Sequence, residues 1–234
     1  MDVSIHQPQY LPWIPYFMKI EQSDIFIFLD SVDFQKNGLQ NRSQIKGIQG
    51  RHWMTVPVQH QSRQRIDEVE LVIGNQWARK HLETIHHSYK KSTNFKAYEE
   101  EISEIYSHQW LELSKLNIHC VKLLLGLLDI HTPTLRSSQM GVGGHSSDLI
   151  LNLCKEVGAT RYISGIGGRN YLKEGDFEDA GIEILYQPPV LPEAYPQTFP
   201  QVDFIGDLSA IDILFNCGTK WRDYFLRKVT GVEK

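Results

Sequence analysis

The sequence predicts an α/β protein with a parallel or mixed sheet and flanking helices. Residues 3–5 are predicted to form a short strand and residues 24–30 are a nearly continuous apolar run. A polar loop and a helical stretch after Pro12 separate them. Two strands joined by a helix in so short a span form a βαβ unit, whose strands are parallel. Residues 134–186 show the same alternation, with strands predicted at 134–138, 161–164 and 182–186 and helices at about 148–157 and 171–180. The two segments together predict one sheet with helices on its faces.

Between these segments the period of the apolar residues becomes helical. Trp77, His81, Ile85 and Tyr89 recur at helical spacing, and similar patterns follow as far as residue 128. We therefore expect three helices, forming a helical insertion at about 77–130. Because no linker rich in Gly, Ser or Pro borders it, residues 1–234 are predicted to form a single domain.

Composition and charge exclude several classes of protein. The chain has 24 Lys and Arg against 28 Asp and Glu, a net charge of −4, whereas a general nucleic-acid binder usually carries a basic face. Three widely spaced cysteines form neither a disulfide framework nor a zinc motif. No metal site is predicted, since His81, His86 and His87 do not share one helical face. Without a signal peptide or a membrane-spanning run at the sequence level, the expected location is the cytoplasm.

His6 is the first candidate for chemistry. It lies where a predicted strand meets a loop rich in polar and aromatic residues, and the imidazole pKa near neutrality suits a general base. Gln7 and Asp30 are candidates for orienting it. The alternative interpretation is a histidine that only caps loop carbonyl groups.

A second cluster follows the apolar run at 24–30. Its acidic residues could hold a sugar hydroxyl, an amine or a magnesium ion, and its basic and amide residues could hold a phosphate. The alternative is a solvated loop with ordinary surface ion pairs. The candidate residues of this cluster are Asp30, Asp33, Lys36, Asn41, Arg42 and Lys46.

Two glycine-rich loops, at 141–144 and 165–168, each follow a predicted strand and precede a helix. Main-chain NH groups at such a place can bind an anion, and parallel strands would bring both loops to one edge of the sheet. The alternative is a tight turn in which glycine satisfies the backbone. The candidates at the second loop are Ser164, Gly165, Gly167, Gly168, Arg169 and Asn170.

Five segments together resemble the WbqC-like family of bacterial proteins, over essentially the whole chain. They read HQPQYLPWIPYFMKIEQSDIFIFLDSVDFQK, NRSQIK, WMTVPV, GHSSDLI and YISGIGGRNYL. The resemblance implies a role in O-antigen or other surface-polysaccharide biosynthesis. It further implies transfer of an acyl or aminoacyl group to the amine of a nucleotide-linked amino sugar.

On this hypothesis His6 acts as the base, and Tyr10 and Trp13 pack against the sugar ring. Asp30 and Asp33 hold the sugar, while Asn41, Arg42, Lys46 and the glycine loop at 165–168 hold the diphosphate. The expected partners are the nucleotide-linked sugar and an acyl donor, an acyl-carrier protein or coenzyme A. A thioester donor fits this chemistry, and no other cofactor is predicted.

Two alternatives stay open. The order of elements is similar, at the level of fold, to nucleotidylyltransferase-like domains, which implies nucleotidyl transfer or ATP-dependent ligation. At the place of their HxGH loop this chain reads His6-Gln7-Pro8-Gln9, which lacks the glycine and the second histidine. The other alternative is a protein without catalytic activity that binds a sugar nucleotide or a biosynthetic enzyme.

Overall fold

The computed structural model describes residues 1–74 and 76–225. The strands are β1 (Asp2–His6), β2 (Ile25–Phe28), β3 (Arg42–Gly47), β4 (Gly50–Thr55), β5 (Val58–Gln59), β6 (Glu70–Leu71), β7 (Thr134–Arg136), β8 (Arg161–Gly165) and β9 (Glu183–Gln187). The helices are α1 (Ile14–Glu21), α2 (Gln76–Tyr89), α3 (Phe95–Ser107), α4 (Leu113–Leu127), α5 (Ser146–Glu156), α6 (Glu174–Asp179) and α7 (Ala210–Cys217).

A five-stranded sheet with the order β7-β2-β1-β8-β9 forms the centre of the protein, and all of its neighbouring strands are parallel. This confirms the α/β class with a parallel sheet and flanking helices. β2 is hydrogen-bonded on both sides and its residues 26–28 are fully buried, as its nearly continuous apolar sequence predicts. The three helices expected at 77–130 are also present, as α2, α3 and α4.

The sheet has a separate hydrophobic cluster on each face. Val3 and Ile5 of β1 belong to the cluster that contains the apolar residues of α5 and α6. Ser4, between them, points to the other face, where its hydroxyl accepts a hydrogen bond from Ser23 just after α1. That face carries the larger cluster, which includes residues from α1, α2, α3, α4 and α7. Because side chains alternate along a strand, His6 lies on the same face as Ser4 and α1.

Some elements differ from the sequence-based predictions. Arg42 and Lys46, which the sequence places in a polar loop after the apolar run, lie instead in β3 of the antiparallel hairpin β3–β4, where Ser43 and Ile45 are buried. α5 begins at Ser146 with His145 as its N-cap residue, two residues before the start at about residue 148 that the sequence predicts. The loop at 165–170 becomes a short 3-10 helix over Ile166–Asn170. Helix α7 has no counterpart among the predicted elements.

The segment between β2 and β7 is larger than the predicted helical insertion. It contains the hairpin β3–β4, the pair β5–β6 and the three helices, yet β2 and β7 are adjacent strands. The single domain of residues 1–234 stays a prediction, and residues 75 and 226–234 of it lie outside the described residues. Within the described ranges, every helix is too short or too polar to cross a membrane.

Candidate active site

The point where the direction of the chain connections reverses lies between β1 and β8. From β1 the chain continues through α1 to β2 on one side, and from β8 it continues through α6 to β9 on the other. The connections therefore diverge and leave a crevice at the carboxyl ends of these two strands, where α/β proteins bind ligands. His6 ends β1 and Gly165 ends β8.

Two adjoining cavities open at this crevice, with volumes of about 280 and 320 Å³. Four residues line both of them: His6, Lys19, Gly165 and Gly167. We call the two cavities together the β1–β8 cleft. The smaller cavity is also lined by Gln7, Ser164 and Gly168, and the larger by Trp13.

The imidazole of His6 is neutral and has a defined tautomer. Burial, with a smaller contribution from the charge of Lys19, lowers the pKa of His6 to about 3. Its Nδ1 lies 3.1 Å from the carbonyl oxygen of Gln7. Since a carbonyl oxygen can only accept, Nδ1 carries the proton and Nε2 is left as a hydrogen-bond acceptor. The edge of the ring packs against Tyr16, whose hydroxyl donates to the same carbonyl oxygen.

Lys19 is the functional candidate that sequence reasoning missed. Its side chain projects from α1 and is only 5% exposed, and burial lowers its pKa to about 7. The amine donates one hydrogen bond, at 3.5 Å, to the carbonyl oxygen of Ile5. Among residues 1–74 and 76–225 it has no carboxylate partner within 4 Å. Helical spacing puts Lys19 on the face of α1 that carries Tyr16, but spacing alone does not show that this face is enclosed.

The glycine loop forms one wall of the cleft through part of its length. Ser164 is buried and its hydroxyl donates to the carbonyl oxygen of Gly165 at 3.0 Å. Gly167 is open to the cleft, whereas Gly168 is packed so closely that an added Cβ would lie 2.2 Å from the Ser164 hydroxyl. Arg169 and Asn170 are exposed and line neither cavity, and Arg169 stacks on Tyr186 at 4.7 Å.

Gln7 contacts His6 through its main chain, whereas its side chain is bonded elsewhere. Its carbonyl oxygen receives the bonds from His6 and Tyr16, and its side-chain oxygen accepts from Gln40 at 2.8 Å. The sequence predicts that Gln7 orients His6. In the structure it is the main-chain carbonyl group of Gln7 that contacts the imidazole.

Asp30 is fully buried, and its hydrogen bonds are made to the end of β7. Its carboxylate accepts from Arg136 Nε at 2.8 Å, from the Ser137 hydroxyl at 3.2 Å, and from the Ser138 main-chain NH and hydroxyl, both at 2.9 Å. The structure therefore ties Asp30 to β7 and gives it no hydrogen bond to His6 within the described part of the chain. Asp33 and Lys36, further along the same loop, are exposed.

Asn41 and Lys46 lie in separate buried networks. The Asn41 amide donates to the carbonyl oxygen of Val56 at 3.0 Å. The Lys46 amine donates to Gln197 Oε1 at 3.1 Å and to the carbonyl oxygen of Val202 at 3.0 Å. Burial lowers the pKa of Lys46, and the charge of nearby Asp212 opposes that shift.

Asp212 is the centre of the network around Lys46. This fully buried carboxylate accepts from the Tyr89 hydroxyl at 2.8 Å, from the Tyr195 hydroxyl at 2.7 Å and from Gln197 Nε2 at 2.8 Å. Burial raises the pKa of Asp212, and these donors oppose the shift. The network joins β3 to α2, to α7 and to the segment before α7, which the sequence did not reveal.

Tyr10, Trp13 and Arg42 line a third cavity, of about 210 Å³, and Trp13 also lines the β1–β8 cleft. Tyr10 is nearly fully buried, and its hydroxyl lies 2.6 Å from the Tyr106 hydroxyl and 2.9 Å from His81 Nδ1. Of the predicted catalytic and substrate-binding residues, the structure thus gathers around one cleft His6, Gln7, Ser164, Gly165, Gly167, Gly168 and Trp13. Arg42 lies beyond Trp13 in the neighbouring cavity.

No group of three or more His, Cys, Asp and Glu side chains with metal-binding geometry occurs within the two described ranges. Cys120 and Cys154 are buried, and burial raises the pKa of both thiols, to about 12 for Cys154. Both cysteines therefore remain protonated at neutral pH, as expected for cysteines packed as small apolar residues.

Comparison with known proteins identifies the family. The model of the WbqC-like protein family matches residues 7–224. An uncharacterized protein of Mycobacterium tuberculosis (strain ATCC 25618 / H37Rv), Rv1507c, is 32% identical over 225 residues, which cover 95% of this chain and 96% of that protein. No solved structure matches the chain at a significant level. With a match over nearly its whole length, the chain belongs to the WbqC-like protein family.

Proposed function

We propose that this protein is an enzyme that transfers an acyl or aminoacyl group to the amine of a nucleotide-linked amino sugar, in the biosynthesis of O antigen or another surface polysaccharide. The observation that carries the proposal is the amine of Lys19, which lines the β1–β8 cleft beside His6 without a carboxylate partner among the described residues. Such an amine can take up a proton close to neutral pH.

Lys19 supplies the base in this reaction. A sugar amine must lose a proton before its nitrogen can attack an acyl carbon, and a base works best when its pKa lies near the operating pH. With a pKa of about 7, Lys19 is about half neutral at pH 7 and can receive that proton. His6, which the sequence suggests as the base, is less suited to that role than Lys19, because a pKa of about 3 makes its imidazole a weak base.

His6 orients the nucleophile. Its unprotonated Nε2 can accept a hydrogen bond from the sugar amine and direct the nitrogen lone pair towards the acyl group. The nitrogen then forms a bond to the carbonyl carbon of a thioester and the carbon–sulfur bond breaks. The nitrogen loses a second proton as the amide forms. The departing thiolate takes up one of the two protons and Lys19 releases the other to solvent, so that the amide, the free thiol and one proton are the products.

The position of the cleft supports a nucleotide-linked substrate. The cleft lies at the reversal point of a parallel sheet, which is the usual place for nucleotides in this class of fold. Trp13 offers an aromatic face at its edge for a sugar ring. The thioester would come from coenzyme A or from an acyl-carrier protein, and because such donors and nucleotide sugars are cytoplasmic metabolites, we place the protein in the cytoplasm.

The proposal is tested by amide formation. The protein is incubated with UDP-linked amino sugars and acetyl coenzyme A or an acylated carrier protein, and the products are analysed by mass spectrometry. We expect an amide whose rate of formation falls by a factor of about 10² to 10⁴ in Lys19→Met. Lys96→Met, at an 85% exposed side chain, is the matched control and should retain full activity. Equal rates in wild type and Lys19→Met would refute the role of Lys19.

The position of the β1–β8 cleft at the reversal point of the sheet also supports a second candidate function, nucleotidyl transfer or ATP-dependent ligation. Incubation with ATP, magnesium and a candidate acid would then release pyrophosphate, which acyl transfer from a thioester does not do. Binding of a sugar nucleotide without any turnover would instead show a non-catalytic binding protein. A thermal-shift screen of nucleotide sugars identifies the ligand for all three experiments, because a ligand that binds the native state raises its stability.

A further inference from the structure

We infer that the cavity lined by Gln9, Trp13, Arg42 and Trp53 binds a ring that carries an oxyanion, either a carboxylate or a phosphate. This cavity, the Arg42 cavity, has a volume of about 210 Å³ and lies between the 9–13 loop and the hairpin β3–β4. The inference goes beyond the proposed function, since a ligand can bind here whatever the reaction at Lys19.

The guanidinium of Arg42 has no anionic partner and no hydrogen-bond acceptor in residues 1–74 and 76–225. It makes neither a hydrogen bond nor an ion pair there, and its Nε is buried without an acceptor. The acidic residue that lines the cavity, Asp207, is paired with Arg51. A buried donor without an acceptor is costly, and the planar fork of arginine matches the two oxygens of a carboxylate or phosphate. An oxyanion would accept hydrogen bonds from the Arg42 guanidinium and balance its charge.

Gln9 is a second polar side chain without a partner in the same cavity. It is 9% exposed, its Oε1 is buried and unbonded, and no hydrogen bond of its side chain occurs among the described residues. A buried amide normally has at least one hydrogen bond, because the loss of water is otherwise uncompensated. Its NH₂ group can donate to an oxyanion held by Arg42.

Trp53 provides a surface for a ring. The guanidinium of Arg42 lies 4.3 Å from the centre of the Trp53 ring, which fixes both groups, and Trp53 is still 42% exposed. The combination of an exposed aromatic face and a cation beside it suits a sugar or a base that carries a charged group. Trp13 forms the wall towards the β1–β8 cleft.

The loop that carries Gln9 is held in place before any ligand arrives. Leu11 has φ 43°, a left-handed conformation that is unfavourable for a residue other than glycine and that the surrounding contacts must hold. Main-chain groups of the loop are held by the Ser43 hydroxyl, which donates to the Leu11 carbonyl oxygen at 2.7 Å, and by the Asn117 amide, which donates to the Pro8 carbonyl oxygen at 3.1 Å. A wall that is already rigid loses little entropy when a ligand binds.

Binding of defined probes by isothermal titration calorimetry tests the inference. UMP is compared with uridine, glucuronate with glucose, and inorganic phosphate is measured alone. We expect UMP or glucuronate to bind at least about tenfold more tightly than its neutral counterpart, by analogy with other charge-assisted contacts, and more tightly than phosphate. The probe that binds distinguishes phosphate from carboxylate as the natural group.

Variants locate the binding. Arg42→Gln should reduce the affinity for the anionic probe to that for its neutral counterpart, and Arg42→Lys should restore only part of it. Trp53→Ala, at a partly exposed position, should weaken binding of the ring while the protein stays folded. Arg79→Gln, in an exposed ion pair on α2, is the matched control and should bind as wild type does. The inference is overturned if neither anionic probe exceeds its neutral counterpart, if phosphate alone binds as well, or if Arg42→Gln and Trp53→Ala bind normally.

Discussion

The amine of Lys19 lies 3.5 Å from the carbonyl oxygen of Ile5, its one hydrogen-bond partner in the described part of the chain. Burial of an ammonium group without a carboxylate disfavours the charged form, and this lowers the pKa of Lys19 to about 7. The same burial is a cost to folding at neutral pH. A group that makes the native state less stable and lines a cleft is typical of a functional site.

The Lys19→Met variant should be more stable than wild type at pH 7. Because the pKa of Lys19 falls from 10.5 to about 7 on folding, the unfolded chain binds more protons between these values. The loss of stability caused by burying Lys19 is therefore complete below pH 7 and decreases as the pH rises towards 10.5. Urea unfolding at several pH values should show that the variant gains a few kcal/mol of stability at pH 6–7 and that this gain narrows towards pH 10. A gain that does not change with pH would contradict this account.

His6 should make stability depend on pH in the acidic range. The pKa of His6 is lowered from 6.5 to about 3 in the native state, so the unfolded chain binds the additional proton between these values. The stability that neutral His6 contributes is fully present above pH 6.5 and is lost as the pH falls towards 3. Replacement by Gln should flatten the stability profile between pH 6.5 and 3, as followed by thermal unfolding. An unchanged profile would show that His6 is readily protonated in the native state.

Gly168→Ala should destabilise the protein, and Gly167→Ala should not. An added Cβ at residue 168 would lie 2.2 Å from the Ser164 hydroxyl and 2.9 Å from Leu172, whereas at residue 167 it meets nothing within 4 Å. Overpacking of this kind costs about 1–3 kcal/mol. Thermal unfolding of both variants measures the difference. Adding Ser164→Ala to Gly168→Ala should recover part of the loss, and no recovery would argue against the clash with the hydroxyl.

Replacement of Asp30 by Ala tests whether this residue is structural. Loss of the carboxylate leaves Arg136 and two serines without their acceptor, and removal of one member of a buried ion pair costs about 3–5 kcal/mol. We expect that loss in urea unfolding, with a smaller loss in Asp30→Asn, which keeps one side-chain oxygen. If Asp30→Asn is as stable as wild type but inactive, a catalytic role for Asp30, as the sequence predicts, is supported instead.

Local patterns in the sequence were sufficient to predict the parallel sheet. The apolar run around Phe26 predicted a buried strand, and the alternation in residues 134–186 predicted a strand around Ile163. Both strands lie inside the sheet. His6 and Gly165 were also found this way, because strand ends are visible in the sequence and parallel strands bring them to one edge.

The partners of charged side chains could not be predicted, because they depend on which strands pair and on contacts between segments distant along the chain. Arg42 and Lys46 are four residues apart, yet Arg42 stacks on Trp53 and Lys46 bonds to Gln197. Lys19 is not apparent from the sequence, because a lysine in a helix usually faces water. Only the packing of α1 on the sheet shows that its amine is enclosed.

Direct titration of Lys19 is the most decisive measurement. With lysine labelled by ¹³C at the ε carbon, NMR spectra recorded from pH 5 to 11 follow each lysine, and the Lys19→Met spectrum identifies the signal of Lys19. This account predicts a signal with a midpoint near pH 7 that is absent from the variant. A Lys19 signal that titrates near the value of about 10.4 found for free lysine would contradict it.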